Sequence, residues 1–287
     1  MTSMGPERDT DAATWDAIAH GQHRDPFSVL GPHREAQARV VRCLQPQAQT
    51  VTLVDIAGKK LASMEQLHPE GIFVGRLPGR RRRYRLRLHL AGDETCDIED
   101  PYRFPSPLGE LDLHLIGEGT HERLYDKMGG HVARVLGVSG VHFAVWAPNA
   151  FRVSVIGDFN DWDGRRHVMR FHQSIGVWDI FIPGIGAGSL YKYELQDAAG
   201  ALLPLKSDPF AQFAEPPPGN ASMIYQSRYV WQDRAWMAAR KDALGLDKPQ
   251  SIYEVHLGSW RRRTEEENRW LSYAELAAEL VTYVSDM

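Results

Sequence analysis

The chain of 287 residues reads as mainly β: two tandem antiparallel sandwiches of immunoglobulin-like size, followed by one strand and one helix. Three observations predict this. Short runs with period-2 apolar alternation recur along residues 38–98 and again along 130–225, each bounded by Gly, Pro, Asn or Asp. A stiff connector, Pro101–Pro107, holds three prolines and separates the two series. Beyond about residue 229 the period changes, from the strand-like Ser251–Leu257 to the helix-like Leu271–Val284. The expected domains are residues 1–110, 111–228 and 229–287.

Residues 1–11 are polar and are expected to fray. Thr14–Ala19 is a helix candidate, with Thr14 as its cap and Gly21 beyond its end. Asp25-Pro26 and Gly31-Pro32 read as loop. The strands expected in the first sandwich are Ala38–Leu44, Thr50–Asp55, Gly71–Leu77, Tyr84–Leu90 and Thr95–Ile98. Leu111–Met128 is expected to be part helix and part turn. The second sandwich takes Val132–Leu136, Val141–Trp146, Arg152–Ile156, Val168–Phe171, Val177–Ile182, Ser189–Leu195 and Met223–Tyr225. Trp178 alternates with Ile180 and Ile182, so it belongs inside. Trp231–Leu244 reads as a short helix and a linker. Ser272 with Glu275 three residues on is a capping box opening the last helix.

Composition bounds the function. Hydrophobic residues make up 43% and charged residues 24%, as in an ordinary globular protein. The net charge of −4 argues against a nucleic-acid partner. Arg80–Arg83 leads into a strand whose arginines share one face, and a solvated sheet face explains them. No apolar run has membrane-spanning length, and no apolar signal core precedes Asp9. A cytoplasmic monomer with Cys43 and Cys96 reduced is the expectation. No metal and no cofactor is expected. His20, His23 and His33 lie close in sequence but lack a carboxylate or thiol at ligand spacing.

The stretch richest in chemistry is Gly157-Asp-Phe-Asn-Asp-Trp-Asp-Gly164. Its Gly, Asn and Asp residues are turn formers, and turns lie on surfaces. An exposed Trp162 among amides and carboxylates offers a flat apolar face for a pyranose and polar groups for its hydroxyls. The alternative is that Trp162 folds back over the sheet edge. Asp158, Asp161 and Asp163 read as loop caps rather than a cation site. Lys192 lies opposite Tyr191 and Tyr193 on its strand, so it points outward.

Several segments together resemble the bacterial glycogen branching enzymes. They are His142–Asn149, Val153–Gly164, Ser251–Trp260, Asp25–His33, Ile98–Phe104, Leu108–Asp112 and Gly117–His121 with Leu124-Tyr125. The resemblance covers nearly the whole chain from about Thr14. It implies an N-terminal sandwich, a family-48 carbohydrate-binding module and the first strand and helix of an incomplete (β/α)8 barrel. The reaction it implies cuts an α-1,4-glucan and transfers the segment to a 6-hydroxyl. That retaining chemistry needs two carboxyls. No residue here matches the family's catalytic motifs, so no catalytic residue is assigned and this chain is expected to be inactive alone. Glu254 and His256, two apart on the expected strand, are read as orienting a barrel mouth.

The resemblance also implies site roles: Trp162 as the stacking platform, Lys192 as the hydroxyl-binding cation and Asn160 as a helper, with α-1,4-glucan or glycogen as the partner. The turn Asp197–Leu203 lacks the second aromatic of stronger binders. Weak or absent glucan binding by the module alone, and a bracing role, are therefore expected. A free-standing glucan-binding or regulatory module is the alternative reading.

Overall fold

The structure, a computed structural model, describes residues 7–35, 38–79, 83–243, 245 and 247–287. The run Arg80–Arg82 and the first six residues lie outside the described residues. The chain divides into two compact units, one ending at Ser227 and the other beginning at Arg228.

In the first unit, helix α1 (Glu7–Ala19) leads into eight strands: β1 (Gly31–Glu35), β2 (Ala38–Leu44), β3 (Thr50–Val54), β4 (Lys60–Ser63), β5 (Glu65–His68), β6 (Ile72–Leu77), β7 (Arg85–His89) and β8 (Thr95–Ile98). They form two antiparallel sheets, β1-β2-β6-β5 and β4-β3-β7-β8. The period-2 residues meet between them: Val41 and Cys43, Val51 and Leu53, Phe73 and Leu77, Leu86 and Leu88. Gly71 is required where β6 begins. Its φ is +92°, and a side chain there would strike the Gln45 carbonyl. Helix α1 packs Ile18 and Ala19 against Leu30, Leu44, Ile72 and Tyr102. Thr14 lies inside this helix rather than capping it, because the helix begins at Glu7.

Helix α2 (Glu110–Glu118) starts the passage to a second sandwich. Its strands are β9 (Gly129–Val135), β10 (Val138–Trp146), β11 (Arg152–Gly157), β12 (Arg170–His172), β13 (Val177–Pro183), β14 (Leu190–Gln196), β15 (Phe213–Ala214) and β16 (Ser222–Met223). The sheets are β12-β13-β10-β9 and β11-β14-β16-β15. Val141, Phe143, Val145, Val153, Val155, Ile180 and Ile182 fill the core with Trp178, which is fully buried as expected. The Trp178 Nε1–H donates to the Ala147 carbonyl at 3.0 Å, satisfying its one polar atom. Tyr191 and Tyr193 both donate to Asp208 Oδ2, at 2.6 and 3.0 Å.

The proline connector is not a loose tether. The Tyr102 hydroxyl donates to the Arg166 carbonyl at 3.3 Å and accepts the Val168 N–H at 3.1 Å. Phe104 packs on Phe181 with ring centroids 4.9 Å apart. Ser106 donates to buried Asp179 at 2.6 Å, which also meets His142 and His172. Burial raises the Asp179 pKa, but the two histidines and Arg170 outweigh it and hold the carboxyl well below its usual range.

The second unit holds α3 (Arg234–Ala243), α4 (Leu257–Trp260), the two-stranded ribbon β17 (Arg262–Arg263) and β18 (Arg269–Trp270), and α5 (Tyr273–Asp286). Here one expectation fails. Ser251–His256 forms no strand, and Leu257 already belongs to α4. A strand takes its ladder of hydrogen bonds from a neighbouring strand. None pairs with this segment among the described residues, and Ile252 is 93% exposed. Glu254 and His256 therefore share no strand face; the His256 ring instead meets the Ser259 hydroxyl at 2.9 Å. The capping box of α5 forms as expected, Ser272 Oγ accepting from Glu275 N–H.

Candidate functional site

Strand β11 delivers the chain into the Gly157–Gly164 turn. Gly157 is extended, yet only glycine fits, because a Cβ would lie 2.3 Å from the Leu190 carbonyl and 2.5 Å from the Phe159 ring. A 3-10 turn over Asp158–Asn160 follows. Asp161 and Trp162 then both take left-handed backbone, with φ of +56° and +58°. Two such residues in succession are strained unless their surroundings hold them.

Asn160 supplies much of that hold. It is fully buried. Its Oδ1 accepts the Gly157 N–H at 2.9 Å, and its Nδ2 donates to the Val155 carbonyl at 2.9 Å and to His167 Nδ1 at 2.8 Å. Both amide hydrogens are engaged and no surface is left for a sugar. This corrects its expected role as a helper in glucan contact: Asn160 builds the turn from within. Burial, reinforced by the Arg166 charge, pushes the His167 pKa down to about 3, so the ring stays neutral and can accept.

Trp162 remains at the surface with 36% of its area exposed. Its Nε1–H donates to Asp158 Oδ1 at 2.7 Å, fixing the indole edge. The three carboxylates act as caps and anchors. Asp163 accepts the Arg165 N–H and guanidinium, and Asp161 accepts Arg166 at 2.9 Å. Among the described residues, no group of His, Cys, Asp or Glu could hold a metal.

The turn is also gripped from the first sandwich. Gln47 donates to Asp161 Oδ2 at 2.5 Å, and Arg165 reaches Glu70 Oε2 at 3.2 Å and the Ala19 carbonyl at 3.4 Å. Sequence reasoning missed these partners, since Gln47 and Glu70 carry no local signal.

Lys192 pairs in register with Ile156, one residue before the turn opens. Its strand faces are as expected: Tyr191 and Tyr193 point into the core, and Lys192 is half-buried on the other face, donating to Asn220 Oδ1. Trp162 and Lys192 thus come from the same end of the β11–β14 pair. The chain returns past β14 through bridges Leu202–Gln196 and Lys206–Tyr193.

Comparison with known proteins finds relatives along nearly the whole chain. Residues 11–102 match "alpha-1,4-glucan branching enzyme GlgB, N-terminal domain", and residues 127–211 match "Carbohydrate-binding module 48 (Isoamylase N-terminal domain)". The chain matches the N-terminal, non-catalytic region of the glycogen branching enzymes. It is 54% identical to the 1,4-alpha-glucan branching enzyme of Rubrobacter xylanophilus over 94% of its own length and 37% of that enzyme. Identity to the enzyme of Paramagnetospirillum magneticum is 52%, over 98% of this chain and 37% of the relative. For Rhodospirillum rubrum the figures are 49%, 99% and 39%. The chain therefore spans under two-fifths of the branching enzymes it matches. The Gly157–Gly164 turn, Lys192 and Asn160 all fall inside the stretch, residues 127–211, that the second of these models matches.

Proposed function

We propose that this chain is the glucan-holding and bracing part of a branching enzyme, cytoplasmic and monomeric, with residues 1–110, 111–228 and 229–287 as its domains. The first two are immunoglobulin-like sandwiches. The third is the start of an α-amylase-type barrel, whose first strand takes its ladder only when neighbouring strands are present. Trp162 stacks on a glucosyl ring, and Lys192 bonds its hydroxyls. The substrate of the whole enzyme is an α-1,4-glucan, which it branches through α-1,6 links.

The observation that supports this reading is the Trp162 turn itself. A partly exposed indole is held in strained backbone by Asn160 within its module and by Gln47 and Glu70 from the neighbouring sandwich. Strain of this kind persists where the surroundings over-determine it, and it clusters at ligand sites. One stacking face contributes little before the entropy cost of binding, so affinity is weak. Affinity electrophoresis in glycogen gels tests this: slight retardation is expected, removed by Trp162→Ala. Unaltered mobility of the native chain, or retardation that survives Trp162→Ala, counts against it. Incubated with amylose, the 287-residue chain is expected to add no α-1,6 links, because none of its residues is assigned either carboxyl role.

A further inference from the structure

The second sandwich carries another surface tryptophan. Trp146 ends β10 and is 63% exposed, more open than Trp162. Strand β10 stops at Trp146, the chain turns over Pro148 and Asn149, and β11 runs from Arg152 away to Gly157. Trp146 and Trp162 therefore sit at opposite ends of the sandwich. The register Arg152–Gln196 brings the turn after β14 to the Trp146 end. A pocket of about 310 Å³ opens there, lined by Trp146, Pro148, Asn149, Leu195, Asp197 and Leu203 among others.

This pocket is built rather than incidental. Gly176 has φ of +70°, and a Cβ on it would meet Pro148 Cβ at 2.7 Å and the Trp146 Nε1 at 3.2 Å. The Ala147 N–H donates to the Gly176 carbonyl at 3.0 Å, closing the two turns on each other. The indole edge is thereby seated, and its N–H has no acceptor among the described residues. Asp197 Oδ1 accepts the Ala199 and Ala201 N–H groups, both at 2.9 Å, which fixes the carboxylate and leaves Oδ2 free. The Asn149 amide is exposed and unengaged among the described residues. No lysine or arginine lines the pocket, so an anionic ligand is disfavoured. An apolar slab bordered by one carboxylate and one amide suits a neutral polyhydroxylated ring.

We infer that the Trp146 pocket is a second α-glucan subsite, taking one or two glucosyl units through stacking on Trp146 and a hydroxyl donated to Asp197 Oδ2. The choice of an α-glucan rests on the function proposed above; the site itself does not share residues with the Trp162 turn. Two weak sites at opposite ends of one rigid sandwich bind a branched polymer far more tightly than a short oligosaccharide, since the second contact is intramolecular.

The test is an NMR titration of the 15N-labelled 287-residue chain with maltoheptaose, following the tryptophan indole resonances and assigning Trp146 by its loss in Trp146→Phe. The Trp146 signal is expected to shift and saturate equally in the native chain and in Trp162→Ala. Asp197→Asn keeps the turn-closing Oδ1 but replaces the free acceptor with a donor, and is expected to weaken the Trp146 response roughly fivefold. A Trp146 signal that stays still while Trp162 shifts overturns the second subsite alone. So does a Trp146 shift that vanishes in Trp162→Ala, or one that Asp197→Asn leaves unchanged. A Trp146 shift with Trp162 silent upholds the subsite and sinks the Trp162 reading instead.

Discussion

Asn160 shows how a residue can shape a candidate site from within. Its amide carries the Gly157 N–H on one side and bonds neutral His167 on the other. That second bond fixes a pH dependence. The folded-state pKa of His167, about 3, lies below the unfolded value of 6.5. Between those values the unfolded chain binds a proton that the native ring refuses, so this group's contribution to stability falls as pH drops from 6.5 toward 3. The slope approaches about 1.4 kcal/mol per pH unit for one fully coupled proton. His167→Asn keeps an acceptor near the Nδ1 position and cannot be protonated. Urea unfolding at pH 4, 5 and 6 is expected to show a shallower slope for the variant than for the native chain. Parallel slopes would mean that His167 is not held neutral. The sequence marked Trp162, Lys192 and Asn160 by motif, and strand parity gave the outward direction of Lys192. It could not show that Asn160 is internal, because burial of a turn amide depends on what packs beneath it.

At the scale of elements, periodicity found the central strands and missed the edges. Lys60–Ser63 and Glu65–His68 carry no apolar face, since they lie at sheet edges and bury little. Gly31–Glu35 opens with Gly-Pro, which reads as loop but is tolerated on an edge strand. The converse error was Ser251–Leu257, where alternation is present but a ladder is not. Alternation records which side chains expect burial; hydrogen bonding needs a neighbour. The α5 cap was legible because both its partners lie within one turn. Ser272→Ala is expected to cost about 1 kcal/mol of helix stability. Faster amide exchange confined to the first turns of α5 would register it, and unchanged exchange would deny the cap its role.

At the scale of the molecule, the two sandwiches of the first unit are joined by buried polar contacts rather than by a free linker. Tyr102 is the clearest, bonding both Arg166 and Val168 across the boundary. Tyr102→Phe leaves the buried Val168 N–H without its acceptor and is expected to lower stability by about 1–3 kcal/mol, read from the urea midpoint. A midpoint unchanged within error would show that the connector contributes no coupling. The composition shift at the prolines was visible in sequence, yet the rigidity was not, because the partners of Tyr102 lie 64 and 66 residues away. Among the described residues, no helix is long and apolar enough to cross a membrane.

The central claim is that a glucosyl ring stacks on the Trp162 turn that both sandwiches hold. A crystal structure of the 287-residue chain soaked with maltoheptaose tests it most directly. The account predicts a pyranose lying face-on to the Trp162 indole with a hydroxyl on Lys192 Nζ. Sugar density elsewhere with that indole bare, or a Trp162 ring turned inward against the sheet, would contradict it.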